Sequence, residues 1–354
     1  MHNILFISRA YGESAGGMER LSFELISEFE KKNNFAVTKI VNKTKRHASL
    51  LSTRLSSIIF AITVLPQAIK ASKNADIVHI GDPVLSVVGW SIARFRKIPV
   101  AVTVHGLDVA YANVFYRLYL KLFFHSFTAY IPISEYAKQL LEKHRVRGTI
   151  TVISPGIRDD FYDASQTKQD LSKLLNRDIS QKTVLVTTGR LVARKGHAWF
   201  ISTVFSKLPQ NFIYVIAGDG AARESIAGVI ASLGLQKRVF MLGRISHEDQ
   251  KTLLNTCDAF IQPNIAVAGD AEGFGIAPLE AALCGKTVFA ANIDGIPSAI
   301  HDGKNGTLLK SGNADAWINA LAQFTPKETQ ARQYTLATFG WDTIIKKYEQ
   351  VFSE

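Results

Sequence analysis

Short runs of β-branched and apolar residues alternate along the chain with longer stretches in which apolar positions recur every three or four residues. The short runs at 2–7, 36–41, 76–80, 100–104, 130–133 and 149–153 predict strands, and the longer stretches at 18–31, 50–72, 84–95, 111–127 and 134–144 predict helices between them. This rhythm is that of βαβ units, which close into a parallel sheet. After Pro155-Gly156 and a polar, Gln-, Asp- and Lys-rich stretch, the alternation restarts with strands at 184–187, 212–217, 239–242, 259–261 and 287–290. The fold class expected is therefore α/β, with two Rossmann-like, doubly wound domains at 1–160 and 183–337 joined by a linker at 161–182. Two helical patterns, 326–338 and 341–352, end the chain with no strand after them, and the last, about 338–354, is expected to reach back onto the first domain.

Composition narrows the class. Of the 354 residues, 47% are apolar, too many for a disordered chain, and no short repeat or low-complexity tract is present. The length suggests two domains, each large enough to bury a core. The longest strongly apolar run, 57–65, is about half of the ~20 residues needed to cross a bilayer. Ile4-Leu5-Phe6-Ile7 opens the first strand with no basic region before it, so a cytoplasmic protein is expected. Cys257 and Cys284 form neither a CxxC pair nor a disulfide framework and read as small core residues.

Charge adds a partner. The formal net charge is +11, of which residues 1–170 carry +8, and the stretch 31–75 holds nine Lys or Arg and no acid. Lys43, Lys45, Arg46 and Arg54 lie there beside the apolar run 55–65, a combination that suits an anionic membrane surface. The helix at 111–127 carries Arg117, Lys121 and His125 on one stripe among aromatics, and is expected to be buried apart from that stripe. No nucleic-acid module is present, and nucleic acid is not expected as a partner.

Four motifs carry candidate chemistry. In Glu272-Gly273-Phe274-Gly275-Ile276-Ala-Pro-Leu-Glu280, two carboxylates flank a Gly-x-Gly turn that opens a helix, where backbone N–H groups and the helix end attract an anion. Glu280, placed about two turns into that helix, could accept hydrogen bonds from a ribose diol, and Glu272 could touch a sugar; a helix cap with a solvated Glu is the plainer alternative. Gly189-Arg190 with Arg194-Lys195-Gly196 follows a strand, at the sheet end where such folds bind ligands, and Arg and Lys suit a diphosphate. His105-Gly106-Leu107-Asp108 closes another strand; the His could bond a sugar hydroxyl with Asp108 orienting it, or be structural. Gly12 to Glu19, with Gly16-Gly17, matches neither a dinucleotide fingerprint nor a P-loop and could seat an acceptor or a phosphate, or form a plain turn.

Taken together and in order, Gly16-Gly17-Met18-Glu19, His105-Gly106-Leu107-Asp108, Ser134-Glu135-Tyr136, Pro155-Gly156-Ile157, Gly189-Arg190, Lys195-Gly196, Ala217-Gly218-Asp219-Gly220, Leu242-Gly243, Glu272-Gly-Phe-Gly and Glu280-Ala resemble glycosyltransferase family 4, retaining, nucleotide-sugar-dependent enzymes of the GT-B fold. The resemblance implies two Rossmann-like domains facing a central cleft. It implies that Arg190 and Lys195 hold the donor diphosphate, that Glu280 holds the ribose, and that Glu272, Gly273, Phe274, Gly275 and Ile276 line the sugar and phosphate. It places His105 beside the transferred sugar and Gly16, Gly17 and Gly189 around the donor. It implies transfer with retained anomeric configuration, without a dedicated protein base. With no Asp-x-Asp in the chain, no metal and no other cofactor is expected. A UDP-sugar is the preferred donor, and the acceptor expected is a lipid-linked, lipopolysaccharide- or capsule-type glycan met at the cytoplasmic face of a membrane. A GT-B epimerase and a non-catalytic nucleotide-sugar-binding subunit are the alternatives. Arg158, Ala221 and Ser298 stand where the family commonly has Asp, Pro and Glu.

Overall fold

The structure is a computed structural model that describes residues 2–13, 16–43, 59–111, 113–325 and 330–353. The chain folds as two compact units, Met1–Gly156 with Trp341–Glu354, and Ile157–Gly340. Among the described residues each unit holds one six-stranded sheet, and every strand pairing is parallel.

In the first unit the strands are β1 (His2–Tyr11), β2 (Phe35–Lys43), β3 (Ile77–Ile80), β4 (Val100–Val104), β5 (Ala129–Pro132) and β6 (Thr149–Ile150), in the order β2-β1-β3-β4-β5-β6. Central strands covered on both faces read as unbroken apolar runs rather than alternating ones. Val100-Ala-Val-Thr-Val104 does so, and all five residues are buried. The sheet order reverses between β1 and β3, which marks the carboxyl ends of these two strands as a place for a ligand.

The last helix, Trp341–Ser353, belongs to this unit. Its buried residues Trp341, Ile344, Ile345, Tyr348, Val351 and Phe352 form one helical stripe. Phe352 stacks on Phe29 with ring centroids 5.4 Å apart, and the Trp341 Nε1–H donates to Glu24 Oε2 at 2.9 Å. The helix starts at Trp341 rather than near 338 because Gly340, in extended conformation, separates it from the preceding helix Ala331–Phe339.

The helix within 111–127 spans Val114–Phe123, and only Leu120 on it is buried. The expectation of a buried helix with one solvated stripe is therefore corrected: the solvent face is wide and mostly apolar. Lys45, Arg46, Arg54 and the Lys43 side chain lie outside the described residues, as do residues 44–58 of the acid-free stretch predicted to meet a membrane.

The second unit contains β7 (Thr183–Thr188), β8 (Phe212–Ala217), β9 (Val239–Gly243), β10 (Ala259–Gln262), β11 (Thr287–Asn292) and β12 (Thr307–Lys310), in the order β12-β11-β10-β7-β8-β9. The order reverses between β7 and β10. Trp317, Phe200, Phe205 and Tyr214 fill its core. The stretch 161–182, read as a linker, stands inside this unit and carries the helix Lys168–Leu175, closed at its N-terminus by a reciprocal capping box of Thr167 and Asp170. Its polarity misled because only Leu171 on that helix is buried. β12 and the helix Ala314–Ala322 had no counterpart in the sequence reading; β12 is a partly exposed edge strand of four residues with too little apolar pattern to announce itself.

Candidate active site

Where β7 and β10 part, the loops that follow them are pressed together by glycines. Gly218, at the end of β8, has φ +146, and a Cβ there would come within 1.8 Å of the Gly189 carbonyl oxygen. Only glycine allows this approach, so the loop after β8 lies flat on the loop after β7, tied by Gly189 N–H to Ala217 O at 2.9 Å and Leu191 N–H to Asp219 O at 3.0 Å. Gly196, with φ +67, sits against the Pro263 carbonyl, 2.0 Å from where its Cβ would be. This draws the turn Ala193–Lys195 onto the chain leaving β10, and Ile265 N–H bonds Arg194 O at 2.9 Å.

These contacts set two cations against one carboxylate. Lys195 Nζ lies 2.6 Å from Glu272 Oε2, and an Arg194 guanidinium nitrogen lies 3.6 Å from the same oxygen and another 3.3 Å from Asp270 Oδ2. Arg194 and Lys195 are buried. Burial alone would raise the Glu272 carboxyl, but the charges of Lys195 and Arg194, with hydrogen bonds from Lys195 and Asn264, outweigh it and hold the group down at about 2. Asn264 Nδ2 donates to Glu272 Oε2 at 3.4 Å, and Gln262 Nε2 donates to Asn264 Oδ1 at 2.7 Å. The Glu272 backbone is held as well: its N–H donates to Asp294 Oδ2 at 3.1 Å and its carbonyl accepts from Gly295 N–H at 2.9 Å. Beneath Lys195, His197 is buried and pushed down to about 3, by burial first and the Lys195 charge second, and its Nδ1 lies 3.1 Å from the Tyr214 hydroxyl.

The other predicted residues occupy distinct positions. Arg190 is exposed and, among the described residues, its guanidinium has no ion-pair or hydrogen-bond partner in the protein. Gly275, with φ +111, caps the helix Ile276–Leu283, and its backbone turn is one an L side chain rarely adopts. Gly273 packs its carbonyl on Gly295, while the Phe274 ring is buried against Phe339, 6.0 Å between centroids, so Phe274 can offer a ligand only its backbone. Glu280 is the fifth residue of that helix, little more than one turn inside rather than two; it is buried and accepts from Gln250 Nε2 at 3.2 Å.

In the first unit, Gly16 caps the helix Gly17–Glu30 without a side-chain bond. His105 is buried after β4, and its Nε2 lies 3.0 Å from the Gly81 carbonyl. Asp108 does not orient the imidazole. Its carboxylate accepts the backbone N–H groups of His105 at 2.9 Å and Gly106 at 2.8 Å, shaping the turn in which Gly106 takes φ +106. At the β1/β3 switch, Arg9 Nε donates to Asp82 Oδ1 at 2.9 Å.

Asn264, Asp270, Asp294 and His197 were not among the predicted site residues, and Arg194 stood in the basic motif without a role of its own. Gln262 and Asn264, polar at the end of a buried strand, were the available signal. Among the described residues no three His, Cys, Asp or Glu side chains stand together as metal ligands, and no helix is long and apolar enough to cross a membrane. Cys257 and Cys284 are buried free thiols.

Two family models match the chain: residues 15–161 match Glycosyltransferase Family 4 and residues 175–337 match Glycosyl transferases group 1. The chain belongs to glycosyltransferase family 4. Among curated relatives of this family 4 chain, the D-inositol 3-phosphate glycosyltransferase of Mycobacterium marinum is 28% identical over 236 residues, covering 62% of the chain and 49% of the relative. The chain thus spans about half the length of the curated relatives it matches. Among solved structures, HepE of Anabaena in complex with UDP-glucose is 20% identical with a TM-score of 0.76, covering all of both chains. Sucrose-phosphate synthase from Thermosynechococcus elongatus is 20% identical with a TM-score of 0.77, covering 100% of this chain and 98% of that one. At these identities the likeness establishes the fold, two Rossmann-like units of the GT-B kind.

Proposed function

We propose that this chain transfers a hexosyl group from a nucleotide-sugar donor, a UDP-sugar, to a lipid-linked, lipopolysaccharide- or capsule-type glycan, with retention of anomeric configuration and without a metal. The observation that carries the proposal is the Lys195–Glu272 pair at the β7/β10 switch, with the unpartnered Arg190 on the same loop. Departure of a nucleoside diphosphate builds negative charge on its oxygens. Fixed cations answer that charge without reorganising, and such preorganised contacts are each worth about 100–1000-fold in turnover. Arg190 supplies a free fork for the diphosphate, Lys195 a second charge held in place by Glu272, and the open N–H groups after Gly275 a helix end. Glu280 receives the ribose hydroxyls, Glu272 the sugar, and His105 a sugar hydroxyl. That HepE was solved with UDP-glucose supports the choice of donor. The protein then works as a peripheral protein on the cytoplasmic face of an anionic membrane.

Incubation with UDP-, GDP- and ADP-sugars, with and without a lipid-linked acceptor, tests this. Sugar transfer with the α-linked donor's configuration kept is the expected result, and unimpaired transfer after chelation is part of it. Release of an epimerised free sugar, or donor binding without turnover, overturns it. The curated relative is named for D-inositol 3-phosphate, so a soluble phosphorylated polyol belongs in the same acceptor panel; transfer to it alone replaces the lipid-linked acceptor.

A further inference from the structure

The helix Val114–Phe123 leaves Val114 68%, Phe115 78%, Leu118 54% and Leu122 59% exposed. These positions follow the helical spacing and so form one outward stripe, and the exposed Arg117 and Lys121 flank it. The stripe is not isolated. Ring contacts run from Tyr111 to Tyr116 at 6.1 Å, Tyr116 to Tyr119 at 5.8 Å, Tyr119 to Phe123 at 5.3 Å, Phe123 to Trp90 at 5.3 Å and Trp90 to Phe95 at 6.2 Å. They reach the end of the helix Ser86–Arg96, where Phe95 is 67% exposed between Arg94 and Arg96, with Lys97 following. Between residues 83 and 134 the chain has a single acid, Asp108, and its carboxylate is turned onto backbone N–H groups.

We infer that this face of the first unit docks on an anionic bilayer, with Phe95, Phe115, Leu118 and Leu122 entering the headgroup–acyl boundary and Arg94, Lys97, Arg117 and Lys121 meeting lipid phosphates. An exposed apolar patch rimmed by charge of one sign marks an interaction surface. Charge complementarity selects the occupant: the exposed cations Arg94, Lys97, Arg117 and Lys121 suit anionic lipid, and Trp and Tyr behind the apolar stripe suit the interface, where one end of each ring is apolar and the other wet. Apolar insertion and attraction to anionic lipid act together in such surfaces, so loss of either part weakens binding. The inference extends the proposed membrane-borne acceptor, but vesicle binding is read without donor or acceptor, so each can fail without the other.

The test is co-sedimentation of the full chain with vesicles of phosphatidylcholine alone or mixed with phosphatidylglycerol. Expected is binding to the mixed vesicles only, reduced at least tenfold by Phe115→Ser with Leu118→Ser and Leu122→Ser, and by roughly fivefold for each of Arg117→Gln and Lys121→Gln. All five side chains are solvent-facing, and an unchanged circular dichroism spectrum and thermal unfolding of the variants verify that they are folded. Undiminished binding by the triple variant, equal binding to both vesicle types, or no binding at all overturns the inference. So does a concentration-dependent dimer abolished by the triple variant, which assigns the face to a second copy of the chain.

Discussion

Lys195 Nζ and Glu272 Oε2 stand 2.6 Å apart, a buried lysine and a half-buried glutamate delivered by loops that follow neighbouring parallel strands at the point where the sheet order reverses. Drawing such a pair largely out of water costs desolvation on both sides, and it holds because Arg194 and Asn264 serve the same carboxylate.

Lys195→Ala is therefore expected to lower both turnover and stability. Turnover should fall about 100–1000-fold. Stability should fall by about 1–3 kcal/mol, because the half-buried Glu272 loses its nearest cation and keeps Arg194 only at 3.6 Å. Lys195→Met combined with Glu272→Gln removes both charges and should recover most of the stability without the turnover. Donor-dependent kinetics and denaturant unfolding separate the two effects.

Arg190→Ala should behave in the opposite way. The guanidinium is exposed and holds nothing in the protein, so thermal unfolding should stay within about 0.5 kcal/mol of the parent. Transfer should still drop about 100-fold or more if the fork meets the diphosphate. Unchanged transfer removes Arg190 from the donor site.

Gly156→Ala should loosen the C-terminal helix. A Cβ at Gly156 would sit 2.3 Å from the Trp341 ring, and the indole cannot retreat without giving up its hydrogen bond to Glu24. Overpacking of this kind costs about 1–3 kcal/mol. Faster amide exchange in the helix Trp341–Ser353, with the second unit unchanged, is the expected readout.

Acid should destabilise each unit through a buried histidine. His79, in the first unit, is pushed down to about 3 by burial and by His105, and His197, in the second, to about 3 by burial and by Lys195. Unfolded, each takes a proton near pH 6.5. Below that value the unfolded chain binds more protons than the folded one, so stability declines as pH falls from about 6.5 toward about 3, by roughly 1.4 kcal/mol per pH unit for each histidine. Glu272 adds a loss at lower pH, from about 4.3 downward toward 2, since its folded value lies below its unfolded one. Urea midpoints measured between about pH 7 and pH 5 should fall, and a flat profile contradicts the neutral, buried state of both histidines.

Much of the fold was legible because its causes are local. Val100–Val104 and Phe212–Ala217 were readable to the residue, since a strand buried on both faces must be apolar throughout. The stripe on Trp341–Ser353 foretold a packed terminal helix, because its spacing admits only one apolar face. The motifs around His105, Gly189, Lys195 and Glu272 were legible as polar groups at strand ends, where a parallel sheet gathers its ligands.

Only the tertiary structure decided which of these groups meet. Arg194 and Lys195 are adjacent in the chain, yet no local rule says that both turn to Glu272 or that Arg190 is left facing solvent. The approach of Gly196 to Pro263 and of Gly218 to Gly189 decides it, because each requires a backbone without a Cβ at a spot fixed by strand pairing. The helix Val114–Phe123 makes the same point for the surface. Its sequence carries apolar residues on most sides, and burial depends on what else packs there, which only the folded first unit determines. The sequence by itself settled the elements, their order and the chemistry available at their ends. The fold settled pairing and exposure, because both depend on neighbours brought together from distant parts of the chain.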